Sequence, residues 1–85
     1  MTAEESLRQS FVSLEVNEDF SEAVLMMSDH SRLCFCHRVG QRWVKAEDGG
    51  AAGAVLERIA QFRLNAKHMD IQFADGSRWE VRFRD

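Results

Sequence analysis

Apolar and polar positions along this 85-residue chain change period several times, and each change marks an element. From Phe11 to Val16 they alternate, with Val12, Leu14 and Val16 on one side and Ser13 and Glu15 on the other. That pattern predicts a strand with one wet face. Ala23-Val24-Leu25-Met26-Met27 and Leu33-Cys34-Phe35-Cys36 are apolar throughout, which predicts two central strands buried on both faces. Asn17-Glu18-Asp19 and Ser28-Asp29-His30-Ser31 have the polar composition of turns. Gly40-Gln41 offers another, leading into Arg42-Trp43-Val44-Lys45-Ala46.

Two segments read as helices. Thr2-x-x-Glu5 has the spacing of a capping box, which predicts a short helix from Ala3 to Ser10 with Leu7 and Phe11 on one side. The stretch from Ala51 to Leu64 places Val55, Leu56, Ile59 and Phe62 on one stripe, predicting the main helix. Asn65 would be its left-handed stop, and Asp48 would sit near its positive end.

The last segment is a hairpin. Met69, Ile71 and Phe73 alternate with Asp70 and Gln72, and Trp79, Val81 and Phe83 alternate with Arg78, Glu80 and Arg82. A two-residue Asp75-Gly76 loop would set Ile71 opposite Glu80 and mix apolar with charged residues on one face. A three-residue loop, Ala74-Asp75-Gly76, sets Ile71 opposite Trp79 and gives Gly76 the left-handed position. Together these elements predict a single α+β domain of order α-β-β-β-(β)-α-β-β. One antiparallel sheet of about five strands packs on one main α-helix, with a short N-terminal helix beside it. No internal repeat is visible in the residues.

Composition alters this picture little. At 45% hydrophobic and 29% charged, the chain has the make-up of a folded globule. Its longest apolar run, Ala23 to Met27, is too short to span a bilayer, and the acidic start lacks the character of a signal peptide. The expectation is a cytoplasmic protein that uses no membrane. The net charge of −3 hides an acidic first third and a more basic remainder. That asymmetry is read as internal complementarity in preference to a polyanion-binding face.

Candidate chemistry is sparse. Cys34-Phe35-Cys36-His37 suggests metal, but strand parity puts His37 on the face opposite the two thiols. The same parity separates a Cys–His catalytic pair. Gly49-Gly50-Ala51-Ala52-Gly53 lacks the lysine and hydroxyl of a phosphate loop. The chain is therefore expected to have no catalytic residues, no cofactor and no metal. Surplus apolar surface on the two central strands predicts a protein-interaction or assembly module that binds a protein partner or a second copy. Its candidate contacts are Met26, Met27, Cys34 and Cys36. The alternative is single-stranded nucleic-acid binding through Arg78, Arg82 and Arg84 on the last strand.

Overall fold

The capping box closes as its spacing requires. Thr2 Oγ1 accepts the Glu5 N–H while the Glu5 carboxylate accepts the Thr2 N–H, and α1 runs over Ala3–Ser10. The computed structural model describes residues 1–83. After α1 come β1 (Phe11–Val16), β2 (Glu22–Met27), β3 (Arg32–Arg38) and β4 (Gln41–Glu47). Then follow α2 (Gly50–Leu56), β5 (Ile59–Leu64), β6 (His68–Phe73) and β7 (Arg78–Arg82). No helix among the described residues is long and apolar enough to cross a membrane.

The single sheet is replaced by two antiparallel meanders, β1-β2-β3-β4 and β5-β6-β7. The difference arises at the expected main helix, which ends at Leu56, while Ile59–Leu64 forms a strand. Phe62 and Leu64 are buried and alternate with exposed Gln61 and Arg63, a period of two that the longer helical stripe had masked. Asn65 therefore stops no helix; its Oδ1 accepts the N–H groups of Lys67 and His68 in the β5–β6 turn. The core lies between the sheets: Leu25, Met27, Leu33 and Phe35 from one, Phe62, Met69, Ile71 and Trp79 from the other. Leu7 of α1 and Val55 of α2 are buried in the same cluster. Val12 departs from its expected inward side because a bulge between Phe11 and Ser13 turns it outward, leaving it 59% exposed. The β6–β7 register is the expected one, with Ile71 opposite Trp79 and Gly76 at φ 88°.

Contrary to the expectation of no repeat, the element order, the hydrogen bonds and one short motif recur between the two halves. The segments α1-β1-β2-β3 and α2-β5-β6-β7 are the same αβββ unit, and β4 is an added strand. Both first strands bulge at the same place, Phe11/Ser13 and Ile59/Gln61. Both first turns are organised by an asparagine, Asn17 accepting from Ser21 and Glu22 as Asn65 does from Lys67 and His68. Both second turns read Asp-x-Ser-Arg, at Asp29 to Arg32 and Asp75 to Arg78. Their middle residues, His30 and Gly76, share positive φ at 71° and 88°.

These two turns hold the helices, and they do so across the halves. Asp75 Oδ2 accepts the Ala3 N–H at 2.8 Å and Ser77 Oγ the Glu4 N–H at 3.2 Å, at the start of α1. Asp29 Oδ2 accepts the Ala51 N–H at 2.8 Å and Ser31 Oγ the Ala52 N–H at 3.0 Å, at the start of α2. Asp48, directly before the Gly49 N-cap of α2, also lies 3.5 Å from the Arg32 guanidinium. The bonds from Ser31 and Ala51 hold the Asp29 carboxyl down at about 2, and those from Ser77 and Ala3 do the same for Asp75.

Two outcomes follow. A Cβ on Gly76 would meet nothing within 4 Å, so Gly76→Val costs backbone strain alone, about 1–2 kcal/mol in a denaturant titration. Gly76→Asn should cost less, since asparagine tolerates left-handed backbone better. The folded pKa values of Asp29 and Asp75 lie below the ordinary value of 3.8, so their stabilisation is complete above about pH 4. It is lost as pH falls toward about 2, and Asp29→Asn with Asp75→Asn should flatten that limb of a stability–pH curve.

Candidate functional site

With Ala23, Leu25, Met27, Leu33 and Phe35 turned into the core, strand alternation sends Val24, Met26, Cys34 and Cys36 to the outer face of the four-stranded sheet. Met27 is thereby corrected as a candidate contact. It is 1% exposed and packs between the sheets, because it has the parity of Leu25. Cys36 has the parity of the outer face but is 2% exposed, flanked by its cross-strand partners Glu22 and Trp43. It can support a contact surface but cannot touch a partner of the folded chain. Met26 and Cys34 are half-buried on that face.

Trp43, absent from the sequence-based candidates, completes the panel. It stands opposite Cys36, is 38% exposed, and lies 5.1 Å from the Lys45 ammonium. Its direction was legible: Val44 packs against the core, so its neighbour must point away. Charges frame the apolar residues. Arg38 pairs with Glu22 at one end, and Arg32 with Glu47 at 3.2 Å at the other. Across the middle, the register aligns Glu15, Val24, Cys34 and Lys45 in one row over the four strands. Both helices bury their apolar residues in the core on the opposite side of this sheet.

The remaining candidates are dispersed. His37 lies opposite the cysteines, its Nδ1 3.3 Å from the Leu64 carbonyl oxygen, so the three do not converge. Arg42 places its guanidinium 4.6 Å from the Phe62 ring centre and donates to the Phe62 carbonyl. These two side chains dress the free edge of β5. On the other sheet, Arg78 is engaged by Glu80 at 3.0 Å and Asp70 at 3.7 Å, while Arg82 is exposed opposite His68. Arg84 lies outside the described residues. Trp79 is buried in the core, so its indole is not offered to a base from this face.

Burial, reinforced by the Glu47 carboxylate, pushes the Cys34 thiol above its ordinary range. Its reaction with a disulfide reagent at neutral pH should therefore run slower than that of a free thiol. Buried Cys36 should react only as the chain unfolds. Kinetics of thiol release in buffer and in denaturant measure both.

Comparison with protein-family models, curated proteins and solved structures gives no match to this chain.

Proposed function

We propose that this chain is a non-catalytic assembly module that pairs with a second copy of itself through the outer face of β1–β4. The row Glu15, Val24, Cys34, Lys45 carries the proposal. A twofold axis running along the strands would set Glu15 against Lys45 of the second copy, on both flanks. Val24 would meet Cys34 between them, and in the next row Met26 would lie against Arg32 of the second copy. Isologous interfaces need such self-complementarity, and stacked sheet faces meet in this way. Glu15 makes no ion pair among the described residues, so it is available for a partner's lysine.

Two unpaired thiols suit a reducing compartment, which supports the cytoplasm as its place. The nucleic-acid alternative has weaker support, since Arg78 is committed to carboxylates. Such binding would reveal itself by a steep fall with salt.

Sedimentation against concentration tests the proposal. Val24→Asp desolvates a charge opposite Cys34 of the second copy and should weaken the dimer by about tenfold or more. Glu15→Lys and Lys45→Glu should each weaken it, and the double exchange should restore it. A chain that stays monomeric at its highest soluble concentration contradicts the proposal, as does a dimer indifferent to all three changes.

A further inference from the structure

The two halves differ most on their outer faces, and the second half holds a group that the fold does not demand. Aligning the Asp-x-Ser-Arg turns matches His68, Asp70 and Glu80 with Glu22, Val24 and Cys34. Where the first half has a valine, the second buries a carboxylate to 2% exposure. Asp70 Oδ1 has no hydrogen-bond partner, an arrangement that is costly without compensation. Its Oδ2 lies 3.4 Å from His68 Nε2 and 3.7 Å from the Arg78 guanidinium.

We propose that His68, Asp70 and Glu80 form a binding site for a divalent transition-metal ion of the zinc type. His68 and Asp70 are two apart on β6 and share its outer face, and Glu80 is the cross-strand partner of Asp70 on β7. One ligand atom from each of the three lies within 4.8 Å of the others, held on adjacent strands of one sheet. An imidazole nitrogen with two carboxylates is a mixed donor set. It suits zinc and its neighbours better than magnesium or calcium, which favour oxygen alone. Three protein ligands leave a fourth position for water.

Arg78 is the resident counter-ion. Its guanidinium is 3.0 Å from Glu80 and its side chain is 52% exposed, so it can swing into solvent as the ion enters. Arg63, opposite Asp70 on β5, and Arg82, opposite His68 on β7, add positive charge that tempers affinity. This site is on the sheet opposite the association panel and stands or falls independently of it.

Calorimetric titration of the reduced chain with Zn²⁺ alone tests the site. One ion per chain is expected, with binding lost in Asp70→Val and in His68→Gln. Asp70→Val installs the residue of the matching position and should fold; His68→Gln, at a half-buried position, serves if it does not. Arg78→Gln should tighten binding by removing the competing cation, and Cys34→Ser should leave it unchanged. Absence of stoichiometric binding overturns the proposal. So does binding that survives Asp70→Val or His68→Gln, and so does binding lost with Cys34→Ser, which would assign the ion to the thiol.

Discussion

The structure hangs on a reciprocal cap. Helices of eight and seven residues are too short to persist alone, and their first amides need acceptors. Each finds them on the hairpin of the other half, α1 on Asp75 and Ser77, α2 on Asp29 and Ser31. Each αβββ unit thus supplies two acceptors to the helix of the other, beside the Thr2 cap that α1 has of its own. The exchange sets Leu7 and Val55 into one cluster with the inner faces of both sheets. Arg58 closes the arrangement at one end, 3.0 Å from Asp75.

Because the inner faces and turns are fixed by that exchange, the outer faces are free to differ. The first half carries Val24, Met26 and Cys34 where the second carries Asp70, Gln72 and Glu80. β4 widens the first face and adds Trp43 and Lys45 to it. One scaffold thus presents an apolar, charge-framed panel on one side and a buried carboxylate beside an imidazole and a second carboxylate on the other. The association and metal proposals follow from that divergence, each from its own residues.

What was legible in the residues was local. The capping box, the β6–β7 register and the inward turn of Trp79 follow from short spacings and parity, and all stand in the structure. The β5 strand was hidden because Val55, Leu56, Ile59 and Phe62 satisfy a helical period as well as Phe62 and Leu64 satisfy a strand. That ambiguity removed one strand from the second half and, with it, the matching order of the two halves. Met27 was misplaced because a run apolar at every position does not state which parity faces the core. Asp70 drew no attention as a site residue, since an acidic residue alternating with apolar ones ordinarily marks the wet side of a strand. Only the packed sheet reveals it as buried.

The proposed self-association surface is the outer face of β1–β4. Backbone amide and tryptophan indole NMR shifts followed through a dilution series test it most directly. Concentration-dependent shifts are expected at Glu15, Val24, Met26, Cys34, Trp43 and Lys45, with β6 and β7 unmoved. Shifts confined to β6 and β7, or none at any concentration, would contradict it.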